Sequence, residues 1–260
     1  NTRIKEICDA VHEVDGLMYY DGANFNAIMG RYKPGDMGFD ICHLNLHKSF
    51  ATPHGGGGPG AGPVGVVDKL RPYLPISRVI KTNDGTYSLN YDEPRSIGYI
   101  APFYGNFGVI ARAYAYILSL GSDGMLGTSN RAVLNANYLQ EKLRPLFGEE
   151  YRGRCMHEFV FSGKCLAEYG LRTLDLAKGM IDRGIHPPTV YFPLNVPEAF
   201  MVEPTETEDR DTLDRFVEVV EELFEVARNN PQILHDAPVS TPVGRLDEVK
   251  AARDMRLSYA

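Results

Sequence analysis

The residues best suited to chemistry lie between positions 21 and 60. Lys48 closes the mostly apolar run Ile41-Cys42-His43-Leu44-Asn45-Leu46-His47. An ammonium is costly to bury, and a lysine held in an apolar setting loses its proton more readily and becomes an amine nucleophile. Asp21 stands 27 positions earlier, at the end of another short apolar run, Leu17-Met18-Tyr19-Tyr20. A lysine that forms a Schiff base and a carboxylate that keeps a pyridine nitrogen protonated are the two groups pyridoxal-phosphate chemistry requires. The spacing alone also fits a turn aspartate before Gly22 and a strand-end lysine reaching solvent.

Three histidines, His43, His47 and His54, crowd the same stretch, where an imidazole can move protons beside an amine or donate to a phosphate. A structural hydrogen bond suits each equally well. Seven of the eleven residues from Gly55 to Gly65 are glycine. The segment 60–65 fits GxGxxG formally, but strand-like sequence follows where a dinucleotide site needs a helix. No Gly-Lys-Ser/Thr ends the loop and no GxSxG occurs anywhere, so neither a P-loop nor a hydrolase elbow is present. Ordering so many glycines costs entropy, and close backbone approach to an anionic ligand through glycine N–H groups is the reading that justifies it.

These residues need elements to position them. Thr2–Val14 carries Ile4, Ile7, Cys8 and Val11 at helical spacing, with Gly16 as the stop. Leu17–Tyr20 and Ile41–Leu46 read as buried strands of a parallel sheet, whose carboxyl ends are where ligands sit. Further strands are expected at 62–67 and 77–81, a turn at Asp84-Gly85-Thr86, and an aromatic, glycine-rich loop at 101–108. Helices are expected at 109–120 and 130–147, separated by a break at Gly121–Gly127.

Beyond Gly148, strands at 158–161, 190–192 and 199–202 alternate with helices at 173–183 and 211–228. Thr205 and Glu208 fit a capping box for the latter, and Phe216, Val219, Val220, Leu223 and Ala227 give it an apolar stripe. An extended run at 237–242 and a short helix at 246–253 follow. The chain thus reads as α/β, with a first domain over residues 1–125 and a smaller α/β domain over 126–260.

At 260 residues with 43% hydrophobic and 23% charged content, the chain has an ordinary globular composition. A net charge of −7 argues against nucleic acid as partner. No apolar run reaches the about 20 residues that span a bilayer. Four scattered cysteines without CxxC argue against a zinc ribbon, suit reduced thiols in a cytoplasm, and give no metal-ligand spacing.

Asp40–Phe50, continued by Pro53-His54-Gly55-Gly56-Gly57-Gly58-Pro59-Gly60, resembles the glycine decarboxylase P-protein family of the glycine cleavage system. So do Phe103–Gly108, Arg112–Ile117, His157-Glu158-Phe159-Val160, His186–Leu194 and Glu203–Glu208. The likeness runs along nearly the whole chain and is greatest to subunit 2 of the two-subunit form, or the matching C-terminal part of the single-chain form. It implies a fold-type I pyridoxal-phosphate transferase architecture, with part of the large domain followed by the smaller one.

It also implies a glycine dehydrogenase (aminomethyl-transferring) activity. Glycine is decarboxylated and its aminomethyl group passes to the lipoyl arm of H-protein. Lys48 becomes the Schiff-base lysine and Asp21 the partner of the pyridine nitrogen. Ala23 packs on a ring face, and His43 and Asn45 join the cofactor site. His47 and His54 are candidates for proton transfer, and Ser49 stands where the family usually has threonine.

The implied partners are a P-protein subunit 1 or N-terminal half, H-protein, and T-protein with dihydrolipoyl dehydrogenase as system members. A dimer or heterotetramer, in the cytoplasm of a bacterium or archaeon or in a mitochondrion, goes with them. Family members carry a further N-terminal stretch that cups the phosphate. Its lack here implies a truncated record of a complete enzyme, with exposed sheet surface. The competing readings are another fold-type I decarboxylase or desulfurase and a non-catalytic scaffold subunit that completes a partner's site.

Overall fold

In the computed structural model, residues 2–100, 104–148, 153–255 and 257–258 are described. Ala101, Pro102 and Phe103, part of the expected aromatic loop, lie outside them. The chain divides into two compact units, Asn1–Ser129 and Asn130–Ala260.

The first unit opens with α1 (Ile4–His12), whose apolar stripe buries Cys8. The helix ends before Gly16. Asp15 takes the left-handed conformation at φ 57° that was expected of a glycine, and an aspartate tolerates it. Cys8 packs against Gly38, where an added Cβ would lie 2.8 Å from the Cys8 Cβ and φ is +100°. Both the space and the backbone there require glycine.

A three-stranded sheet has the order β1 (Tyr19–Gly22), β2 (Ile41–Leu44), β3 (Val64–Val66). β1 runs parallel to β2, and β3 is antiparallel to it. The parallel pairing matches expectation, but β1 is not buried. It lies at the sheet edge, and its burial alternates, with Tyr19 53% exposed. An apolar run of four residues does not distinguish an edge strand from a central one.

The one-turn helix α2 (Leu46–Ser49) follows β2. The expected turn at 84–86 joins a separate hairpin of β4 (Arg78–Lys81) and β5 (Tyr87–Asn90). The helical run α3 (Phe107–Phe147) is non-helical at Gly121 alone, with φ 60° and ψ −171°. The expected break across Gly121–Gly127 is therefore a single-residue kink. Gly124 and Gly127 stay helical, and Leu126 packs against Gly30 while Met125 meets the core of Met29, Leu46, Phe50, Val109 and Ala113. That packing offsets the roughly 1 kcal/mol each helical glycine costs.

Asp40, just before β2, ties this unit together. It is buried, and its Oδ1 lies 2.7 Å from Lys69 Nζ. Its Oδ2 accepts from the Met18 N–H at 2.9 Å and faces His12 Nε2 at 2.8 Å. The Lys69 contact first, then the Met18 N–H, hold this carboxyl far below its usual range against the opposing effect of burial. A carboxyl lowered on folding contributes stability that is complete above its unfolded pKa of about 3.9 and is lost as pH falls further. The first unit is therefore expected to lose stability in acid below about pH 4. Asp40→Asn is expected to cost about 2 kcal/mol at pH 7 and to flatten that acid dependence, as read by urea unfolding from pH 7 to 3.

The second unit packs helices on an antiparallel sheet of order β6 (Phe159–Ser162), β8 (Ala199–Val202), β7 (Thr189–Val190). Phe147 stacks on Phe161 and Phe200 and meets Phe224 edge-on. α4 (Thr173–Ile181), α5 (Arg210–Asn229) and α6 (Gln232–Asp236) cover this core.

The α5 cap is Asp209, which accepts from the Thr212 N–H at 2.8 Å, rather than the Thr205–Glu208 box. Thr205 and Glu208 form the turn before it, and their carbonyls accept from the Asn135 amide. Arg245 anchors the tail, donating to the carbonyls of Ala237 and Leu234 and pairing with buried Asp175 at 2.7 Å. α7 (Glu248–Arg253) ends the fold. The four cysteines form no disulfide. Among the described residues no helix is long and apolar enough to cross a membrane.

Candidate functional site

The parallel register sets Asp21 opposite His43 and Gly22 opposite Leu44 at the carboxyl ends of β1 and β2. Gly22 is required there, because an added Cβ would lie 2.0 Å from the His43 carbonyl oxygen. Asp21 Oδ1 accepts from the Ala23 N–H at 2.9 Å and faces His43 Nε2 at 3.3 Å. The Tyr19 hydroxyl donates to His43 Nδ1 at 2.7 Å, which leaves the Nε2–H turned to the carboxylate. Tyr19 and Asp21, two apart on one strand, share a face, and His43 joins them from the next strand. Tyr19 was not among the expected site residues. Its two-residue offset from Asp21 is the signal that points to it.

Lys48 sits on α2, past the end of β2, and is exposed. Of the two readings of this lysine, held in an apolar setting or reaching solvent, the structure shows the second, and helix geometry explains why. Leu46 and Phe50, four apart, face the core, and residue 48 between them projects away. Its backbone N–H donates to the Asn45 carbonyl at 3.2 Å. Among the described residues no side-chain contact joins Lys48 to Asp21.

His47 and His54 meet edge-to-face with ring centroids 5.1 Å apart. Burial first, then His54 and Lys48, pushes the His47 pKa down, so this imidazole is neutral at pH 7. His54 Nδ1 accepts from the Gly56 N–H at 3.0 Å, and its carbonyl accepts from Gly57 and Gly58 at 3.0 and 2.8 Å. Three of the glycine N–H groups expected to meet an anion are thus taken by His54, which shapes the loop. Its Nδ1 being an acceptor, the His54 proton lies on Nε2.

Asn45, His43, His47 and Tyr19 line an open cavity of about 450 Å³ with Gly60, Ala61 and Gly62. His47 and His54 line a second opening with Gly56–Gly58. His47 Nδ1, Ser49 Oγ and Thr52 Oγ1 are buried without a hydrogen-bond partner. Buried polar atoms are almost always paired, so three orphans within six residues of chain mark a place for a polar ligand. A carboxylate near the end of one strand and an amine just past the end of its parallel neighbour, with these orphans close to the amine in sequence, fit a phosphorylated aldehyde cofactor with a basic ring nitrogen.

Residues 128–237 match the family described as glycine dehydrogenase, C-terminal domain. The chain is 57% identical over 99% of its length to a probable glycine dehydrogenase (decarboxylating) subunit 2 of Treponema denticola, and covers 54% of that protein. It is 56% identical over 98% of its length to the same-named protein of Kosmotoga olearia, covering 53% of it. The chain spans about half the length of the curated relatives it matches.

Among solved structures, a glycine decarboxylase (P-protein) in inhibitor-bound form aligns with a TM-score of 0.67 at 17% identity, over 85% of this chain and 51% of that one. A cysteine desulfurase from Thermococcus onnurineus aligns at 0.61 and 18%, over 85% and 56%. The fold is the fold-type I α/β architecture that the resemblance implied. With sequence identity above half along nearly all of its length, the chain is similar to the probable glycine dehydrogenase (decarboxylating) subunit 2 proteins.

Proposed function

We propose that this chain forms part of the pyridoxal-phosphate site of an enzyme that decarboxylates glycine and passes the aminomethyl group to a lipoyl arm on H-protein. The observation that carries the reading is the placement of Asp21 near the carboxyl end of β1 and of Lys48 just past the end of the adjacent parallel strand β2. The relatives named glycine dehydrogenase (decarboxylating) subunit 2 support the choice of substrate.

When bound, the cofactor supplies an electron sink conjugated to the substrate nitrogen. Lys48 Nζ would hold the cofactor covalently. Asp21 would keep a proton on its ring nitrogen, with His43, fixed by Tyr19, orienting that carboxylate. Ala23 and Asn45 would form part of the wall around it. His47, kept neutral by its surroundings, accepts a proton at an imidazole nitrogen, and the His54 Nε2–H donates one. The lipoyl disulfide opens as one sulfur takes the aminomethyl carbon and the other takes a proton. P-protein subunit 1 or the equivalent half completes the site, T-protein and dihydrolipoyl dehydrogenase act downstream, and a dimer or heterotetramer in a bacterial cytoplasm is the working form.

The test is release of labelled carbon dioxide from carboxyl-labelled glycine by the complete subunit assembled with its partner. Release that depends on lipoylated H-protein supports the reading. Release without it points to a simple decarboxylase, and none in any assembly to a scaffold role. Asp21→Asn is expected to lower the rate about 10²-fold or more while covalent labelling of Lys48 persists. An unchanged rate removes Asp21 from the site.

A further inference from the structure

We infer that His157, Glu158 and Glu203 of the second unit bind a divalent transition cation of the Zn²⁺ class. This is independent of the pyridoxal-phosphate reading.

His157 is buried, and neither of its ring nitrogens has a hydrogen-bond partner. Its Nε2 lies 3.8 Å from a carboxylate oxygen of Glu158 and 3.8 Å from one of Glu203. These distances are too long for hydrogen bonds. They suit donors around an ion, since one donor atom from each residue lies within 4.8 Å of the others. A point equidistant from three such atoms is at most about 2.5 Å from each, within a few tenths of an ångström of ordinary Zn–N and Zn–O bond lengths. Small side-chain rotations close that gap.

Sheet register explains why the two carboxylates meet. Phe159 pairs with Val202 across β6 and β8. One step further along the antiparallel ladder, Glu158 comes opposite Glu203. The imidazole selects a borderline ion over Mg²⁺ or Ca²⁺, and the carboxylates complete a three-ligand set with room for water. Access exists on the Glu203 side, where that residue lines a cavity of about 530 Å³ with His186 and Glu208. No single helix holds these donors, and Glu203 lies 45 residues after Glu158, so spacing along the chain carries no metal signal.

The test uses the full chain, stripped with chelator, loaded with Zn²⁺ and passed through gel filtration. About one equivalent is expected to remain by elemental analysis, with a Zn²⁺-dependent rise in Tm. Loading with Mg²⁺ in its place is expected to leave none. Glu158→Gln and Glu203→Gln keep the side-chain shape, and each is expected to weaken Zn²⁺ binding at least tenfold, a ligand counting for no less than an outer-shell partner. The double variant is expected to lose the equivalent while keeping the parent far-UV circular dichroism. Should it misfold, Glu203→Gln decides, because that side chain is 42% exposed. The proposal is overturned if the parent protein retains no Zn²⁺, if Mg²⁺ is held equally well, or if the variants hold as much Zn²⁺ as the parent through other histidines and cysteines.

Discussion

Replacing Lys48 by alanine in the complete, partner-assembled enzyme is expected to lower carbon dioxide release from glycine at least about 10³-fold and to abolish borohydride-fixed cofactor on this chain. The argument rests on what an amine does that no neighbour replaces. Nζ is the one group here that can both bond covalently to an aldehyde and leave again as a base. His47 and His54 can move protons but do not form that linkage. Lys48→Arg is expected to fail as badly, because a guanidinium keeps its charge at any working pH. Folding is not the confounding factor. Lys48 is exposed, and α2 is held by Leu46 and Phe50 on its other face. An exposed helical Lys→Ala change of this kind shifts stability by about 0.5 kcal/mol or less. Loss of activity with unchanged unfolding would therefore locate the defect in chemistry. Persistence of the fixed label at parent levels would show that another lysine is the anchor.

Much of the architecture was legible because short apolar runs and helical stripes report burial directly. β8 occupies the expected residues, and α5 differs from its expected span by one residue at each end. The parallel pair carrying Asp21 and His43 followed from element order. What was not legible depended on partners distant in sequence. The Thr205–Glu208 pattern has the right letters for a cap, but Asp209 does the capping because the preceding turn is held by the Asn135 side-chain amide, which donates to the Thr205 and Glu208 carbonyls. The glycines at 124 and 127 read as breakers, yet the helix passes through them, since breaking is a matter of about 1 kcal/mol that core packing overrides. The apolar residues around Lys48 left open whether it is buried or reaches solvent. Which side of α2 it occupies depends on Phe50 reaching the core, a contact no strand-like pattern encodes. The glycine loop was expected to spend its N–H groups on a ligand, and it spends three on His54.

Phe200→Ala is expected to destabilise the second unit by about 3–5 kcal/mol, the usual cost of emptying a buried aromatic site. Phe200 is fully buried in β8, between β6 and β7 in the sheet. It pairs in register with Phe161 and stacks on Phe147 with ring centroids 5.2 Å apart. Truncation removes its own burial and that stacking contact, and leaves a cavity against Phe147. Phe147 also holds Phe161 and Phe224, so it cannot move to fill the space without losing contacts at 5.1 Å on either side. A cavity that cannot collapse puts the expected cost in the upper part of the range. Against a typical domain stability of about 5–15 kcal/mol, this is a large share. With a urea slope of about 2 kcal/mol/M, the midpoint should fall by about 2 M. The chain has no tryptophan, so hydrogen exchange of the α5 amides is the suitable readout, following the helix that Phe224 fastens to this cluster. Phe200→Leu, which keeps much of the volume, is expected to cost about 1.5 kcal/mol. A midpoint shift for Phe200→Ala no larger than that of Phe200→Leu would mean the aromatic cluster is not the keystone of this unit.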